Sequence, residues 1–178
     1  MINHPPLTES PFPAPHTLQG QFITLTPLTR DRDVMELYQI SHADESAFKL
    51  WRYLPWGPFS TIDLYAAFLQ EWQSKPDVIA FTVRDTRTGM ALGSISLMSI
   101  RAEHGVAELG NIWYTPQAQR TKTNTESCYL LLRYCFEVLG YRRMEWKCDQ
   151  RNEPSQHAAR RLGFIFEGIF RQHMIVKG

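Results

Sequence analysis

A chain of 178 residues, 43% hydrophobic and 21% charged, is long enough for one domain with a full core. Its net charge of +1 supplies no global drive toward nucleic acid or a membrane surface. No apolar run is long enough to span a bilayer, and the first ten residues lack the parts of a signal peptide, so a cytoplasmic protein is expected.

In chain order, residues 1–17 carry five prolines, which favours an extended arm that packs on the body or on a partner subunit. The remainder, 18–178, reads as a single domain with no internal repeat. Residues 21–28 have the apolar pattern of a strand, with Phe22, Ile23, Leu25 and Leu28. Asp31 or Asp33 is then placed to cap a helix running to Ser41. An aromatic, loop-like block follows over residues 48–59. Ser60 or Thr61 opens a second helix to Ser74, with Leu64, Tyr65, Phe68, Leu69 and Trp72 on one side. Strands are predicted over 78–84, 92–100 and 106–114, joined by turns at 85–89 and 101–105.

Pro116 stops the third of these strands. Gln119 to Thr125 is polar throughout and leads into a helix, apolar on nearly every face, over 127–139. Donors feeding a helix N-terminus make a ready anion site, because the first backbone N–H groups there lack partners. A solvated connecting loop is the alternative. Gly140 is placed as the helix stop, and 143–149 reads as a strand. Asn152 can cap a short helix to Leu162, with Pro154 tolerated in its first turn. A further strand is predicted over 164–171, with 173–176 extended. The order β-α-α-β-β-β-α-β-α-β gives an α/β (α+β) fold. It has a mixed, mostly antiparallel sheet with a parallel βαβ crossover and helices on both faces. Cys128, Cys135 and Cys148 have neither disulfide nor zinc spacing, and the six histidines are scattered, so no metal is assigned.

Three stretches resemble the GNAT superfamily of acyl-CoA N-acyltransferases. These are VAELGNIWYTP (106–116), the loop and helix over 119–139, and NEPSQHAARRLGF (152–164), which is similar to the family's Asn-x-x-Ser/Ala helix ending in Gly-Phe. More narrowly, the chain resembles the Rim-type branch, which acetylates N-terminal amines of ribosomal proteins. The resemblance spans residue 21 to the C-terminus and implies direct transfer of an acetyl group from acetyl-CoA to a primary amine. The acceptor would be a small molecule or a peptide N-terminus. A non-catalytic acyl-CoA-binding or sensing module is the alternative, and nucleic acid and membrane are not expected partners.

The resemblance also implies roles for particular residues. Glu108 would be the base, on the same strand face as Val106, Gly110 and Ile112 and hence in an apolar setting. A solvated or salt-bridged strand glutamate is its bland reading. Ser155 would serve the leaving thiolate, or be an ordinary first-turn serine. Backbone around Ile112 and Trp113 would meet the pantetheine arm. Gln119, Arg120, Thr121, Lys122, Thr123, Asn124 and Thr125 would hold the pyrophosphate, and Asn152 would orient the arm or cap its helix. Arg151, Arg160 and Arg161 are further candidates for the phosphates. Trp51, Tyr53, Trp56 and Phe59 would shape the acceptor pocket, or be core. Lys122 and Asn124 stand where the family usually has small residues, and Ala159 where many members have a tyrosine. The family closes with one more strand than this sequence holds, so a missing last strand or one supplied by a partner, as in a homodimer, is expected.

Overall fold

The computed structural model describes residues 10–177. Six strands form one sheet in sequence order: β1 (Leu18–Gln19), β2 (Ile23–Pro27), β3 (Ile79–Asp85), β4 (Ala91–Arg101), β5 (Val106–Tyr114) and β6 (Arg143–Glu145). Every neighbouring pair is antiparallel except β5 and β6, which are parallel. A parallel pair needs a crossover, and α4 (Lys122–Arg133) with the wide helical turn after it (Tyr134–Val138) provides it. The other helices are α1 (Arg30–Ser41), α2 (Glu45–Phe48), α3 (Ile62–Ser74) and α5 (Glu153–Arg161).

Two cores lie on opposite faces of the sheet. On one, Leu25, Val83, Ile95, Leu97, Ala107 and Leu109 pack with Cys128 and Leu131 of α4. On the other, α1 and α3 bring Leu37, Tyr65, Leu69 and Trp72 against Ala80, Ala91 and Trp113. Each fully buried leucine contributes about 1.5–3 kcal/mol of transfer free energy, and both layers depend on strand alternation to sort side chains between them.

Several local starts and stops differ from the expectations. Thr29, not Asp31 or Asp33, occupies the cap position of α1. Asp33 is fully buried and serves instead as an acceptor for the Thr29 N–H at 2.7 Å and for Arg84 at 2.6 Å. The helix expected over 127–139 begins earlier, at Lys122. The Thr121 side chain accepts from the Thr123 N–H and starts the first turn inside the polar stretch. Nor is that helix buried all round, since Tyr129, Phe136 and Val138 are exposed. The strand expected over 143–149 pairs only through Glu145. The strand expected over 164–171 is not formed, nor is a strand at 173–176, and Ile165, Phe166, Ile169 and Phe170 stand exposed. A strand pattern needs a ladder to hold it, and β6 is too short to give one beyond Glu145.

Only part of the proline-rich arm falls among the described residues. There Ala14 N–H donates to the Tyr134 hydroxyl at 3.0 Å, and Pro13 is buried, so this stretch lies on the end of the crossover helix.

Candidate active site

The site begins with two irregularities in β4 and β5. Between the pairs Ser96–Gly110 and Ser94–Trp113, β5 carries one residue more than β4, and Asn111 takes a left-handed φ of 48°. Between Met98–Glu108 and Arg101–Val106 the surplus is on β4, and Ser99 takes the same left-handed φ. Bulges bend a strand and re-aim its side chains. The bulge at Asn111 shifts the alternation by one. Ala107 and Leu109 face the α4 layer, and so do Ile112 and Tyr114 beyond the bulge. Ile112 therefore does not share a face with Glu108, as simple alternation predicted. Gly110 does lie on the α1/α3 side, where a Cβ would meet Met98 Sδ at 2.2 Å.

Beside this bent strand the sheet opens. The β5–β6 ladder runs Val106–Arg143, Ala107–Met144, Glu108–Glu145, and then ends. From Leu109 to Tyr114, β5 has β4 on one side and, among the described residues, no strand on the other. Its outer backbone groups are free to pair with an extended polar ligand. The Asn111 side-chain oxygen is buried there with no partner among the described residues.

Glu108 sits at the head of the opening, with its side chain 7% exposed. Its setting is not apolar. Lys147 Nζ lies 2.5 Å from Oε2, and Ser99 Oγ donates to the same oxygen at 3.3 Å. Lys147 also reaches Glu145 Oε2 at 3.2 Å. Burial works against the Lys147 charge, but Glu108 and Glu145 outweigh it and hold the ammonium above its ordinary range. Burial likewise penalises the Glu145 carboxylate, yet Arg143, Lys147 and Arg101 together bring it down to about 2. Sequence reasoning missed Lys147. The signal was available in the register of the parallel pair: Glu145 and Lys147 alternate on one side, next to Glu108.

The second candidate, Ser155, lies in the first turn of α5. Trp146 Nε1 donates to its oxygen at 3.0 Å. The indole is donor-only, so the serine keeps its own hydroxyl proton for another acceptor. Asn152 Oδ1 accepts from the Ser155 N–H at 3.2 Å, which is the helix cap. Trp146 also packs with Phe164 just after the Gly163 turn. Glu108 and Ser155 are thus tied to consecutive residues, Lys147 and Trp146.

The polar stretch after β5 is split. Gln119 to Thr121 is loop, and Lys122 to Thr125 is the first turn of α4. Gln119 Nε2 donates to the Tyr114 carbonyl at 3.0 Å, and Arg120 takes a left-handed φ of 58°. Thr123 is buried, and Asn124 Oδ1 accepts weakly from Cys128 Sγ at 3.6 Å. Lys122 Nζ lies 4.0 Å above the Phe22 ring, a cation–π contact. Arg161 reaches from α5 to Thr125 Oγ1 at 2.5 Å, and Arg151 pairs with Asp149 at 2.7 Å. Arg120 is exposed.

Of the aromatic block, Trp51 is core, and Trp56 and Phe59 are partly buried against it. Trp51 is 1% exposed and donates to the Ser41 carbonyl at 3.1 Å. Phe59 packs edge-on to Trp51, and Trp56 packs on Phe68 and Trp72. Tyr53 lines a small cleft of about 150 Å³ with Arg52 and Arg151. A larger cleft of about 440 Å³ was not foreseen. Asp77, Ser99, Arg101, Glu145, Lys147 and the C-terminal Phe170 and His173 are among its walls. Among the described residues, no group of three or more His, Cys, Asp or Glu is placed to hold a metal.

A mixed sheet that parts between parallel strands, with a carboxylate at the head of the gap and a helix N-terminus beside it, defines an acyl-CoA N-acyltransferase. A model of the acetyltransferase (GNAT) domain matches residues 23–165, and the chain belongs to that family. It is similar to a GCN5-related N-acetyltransferase from Brucella melitensis, whose crystal structure superposes with a TM-score of 0.92. The two are 38% identical, covering 97% of this chain and 78% of that one. It is 26% identical to the spermidine N(1)-acetyltransferase of Escherichia coli K12, over 88% of this chain and 80% of the other. It is 24% identical to YdaF of Bacillus subtilis, provisionally named a ribosomal N-acetyltransferase, over 85% of this chain and 82% of the other. Both relatives are named for transfer to nitrogen, and the chain is an N-acetyltransferase of this family.

Proposed function

We propose that the chain acetylates a primary amine by direct transfer, with Glu108 as the base, and that the acceptor is a small-molecule amine or a peptide N-terminus. The observation that carries this reading is the end of the β5–β6 ladder at Glu108 and Glu145. It sets a buried carboxylate at the head of a strand edge whose backbone is free. Acetyl-CoA, when bound, supplies the thioester carbonyl. Backbone N–H groups near Ile112 and Trp113 would donate to the pantetheine arm or to oxygen charge developing in the transition state. The left-handed Arg120 leads into the first turn of α4, where a helix N-terminus favours an anion although the Thr123 N–H is already capped by Thr121.

Glu108 takes a proton from the acceptor's ammonium, with Ser99 keeping its hydrogen bond to Oε2. The amine nitrogen forms the new C–N bond as the C–S bond breaks. Ser155 donates its hydroxyl proton in a hydrogen bond to the leaving sulfur, which its acceptor role toward Trp146 leaves it free to do. Ala159 lies one turn further along α5 and offers no acid, so Ser155 is the hydroxyl on this helix that serves.

The test is Glu108→Gln, read by thiol release with acetyl-CoA against a panel of amines. Loss of a general base lowers the rate about 10²–10⁴-fold, with CoA binding and Tm kept. A loss of less than about threefold would contradict the assignment of the base.

A further inference from the structure

The carboxylate placed as the base does not itself line the larger cleft; Lys147 and Ser99, which hold it, do. An ammonium therefore already sits where an acceptor's ammonium must arrive. It also has a second seat. Lys147 Nζ is 3.2 Å from Glu145 Oε2 while it touches Glu108, so a small swing transfers it from one carboxylate to the other. The Lys147 side chain is 37% exposed on the cleft side, which gives it room to move.

Lys147 is not free to leave the cleft, however, because Glu145 lies in the same wall. Glu145 is also held by Arg101 and Arg143, each at 2.9 Å, and Arg143 in turn binds Glu167. The cleft wall thus sets Asp77 and Glu145 against Arg101 and Lys147, with the His173 imidazole also in the wall. Only Asp77 among these acids has no ion-pair partner among the described residues. That is charge enough for one incoming ammonium and not for several, since like charges brought together oppose binding.

We propose that Lys147 is a specificity-determining residue of the acceptor site: it holds the place of the acceptor's ammonium over Glu108, yields it by moving to Glu145, and by staying in the cleft discriminates against polycationic acceptors. The inference rests on the proposed role of Glu108 and adds to it the class of amine, one carrying a single positive charge near the reacting nitrogen. Lys147 is not a catalytic residue in this reading, since it is displaced before the amine reacts.

The experiment compares wild type, Lys147→Met, Lys147→Arg and the double variant Lys147→Met/Glu108→Gln, each with CoA bound. Binding of spermine and of butylamine is measured by calorimetry, and turnover of both with acetyl-CoA alongside. In Lys147→Met the affinity for spermine rises about tenfold, the equivalent of about 1.4 kcal/mol, and butylamine gains less. The ratio of kcat/KM for spermine over butylamine rises with it, through KM. Lys147→Arg keeps the wild-type ratio, and in the double variant the gain in affinity disappears because the seat itself is gone. An unchanged ratio in Lys147→Met, or weaker binding of both amines, overturns the inference. A variant that simply misfolds would lower both affinities and Tm together, and then Lys147→Gln, which keeps a hydrogen bond to Glu108, is read in its place by the same ratio. Calorimetry separates the two claims: tighter spermine binding with no turnover by any form sinks the base and leaves Lys147 standing, whereas turnover with an unmoved ratio does the reverse.

Discussion

At the scale of single residues, the site is a chain of charge pairs, Glu108–Lys147–Glu145 with Arg101 and Arg143. Glu108 is legible from the sequence as a strand carboxylate, and the bland reading offered for it, a salt-bridge partner, holds as well. What alternation alone could not give was its partner, because Lys147 is 39 residues away and meets it only through the parallel register of β5 and β6. Ser155 and Asn152 were legible with their local roles, since a cap depends on neighbours within three residues. Glu145 carries a pH consequence. Its folded pKa, about 2, lies below its ordinary 4.5. The stabilisation from its three cations is therefore present above about pH 4.5 and is lost as pH falls toward 2. Urea denaturation of wild type and Glu145→Gln across pH 2 to 7 checks this. The difference in stability between them is expected near neutrality and shrinks to nothing at the acid end. A difference independent of pH would show that Glu145 contributes by packing rather than charge.

At the scale of elements, strand and helix identities followed from period and caps, and the failures share a cause. The three-strand meander and α3, with Thr61 as its cap, fall close to the expected bounds, because each is specified by its own residues. The misplaced features depend on neighbours. Two bulges shift the register of β4 against β5, and no period-two pattern announces an extra residue. The stretch 164–171 has strand-like residues but no ladder to join. The bulge at Asn111 is tightly built. Gly93 pairs with Tyr114 across from it, and a Cβ on Gly93 would lie 2.0 Å from the Trp113 carbonyl oxygen, a backbone atom that cannot swing aside. Gly93→Ala is accordingly expected to cost about 1–3 kcal/mol, the usual range of overpacking. Thermal unfolding reads the loss, and kcat/KM is expected to fall with it because Trp113 lies on the free strand edge. An unchanged Tm would mean that the strand pair relaxes and the bulge is not fixed by this contact.

At the scale of the whole molecule, one sheet with a layer on each face divides the labour. The α4 layer supports the outer backbone of β5 and brings a helix N-terminus to one end of the gap. The α1/α3 layer carries the aromatic block, in which Trp51 packs on Trp113. The C-terminal stretch passes Phe170 and His173 along the larger cleft, and the Lys177 ammonium donates to the Trp51 carbonyl. No helix among the described residues is long and apolar enough to cross a membrane. The family was legible because three motifs kept their order over most of the chain, a property no single element holds. The larger cleft was not, because its walls come from residues 77, 99–101, 145, 147, 170 and 173, brought together only by the fold. The most direct test of the account is a crystal structure with bound CoA. The pantetheine arm is expected against Leu109–Tyr114, and the sulfur within hydrogen-bond reach of the Ser155 hydroxyl, directly or through one water. A CoA sulfur more than one water away from both Ser155 and Glu108 would contradict it.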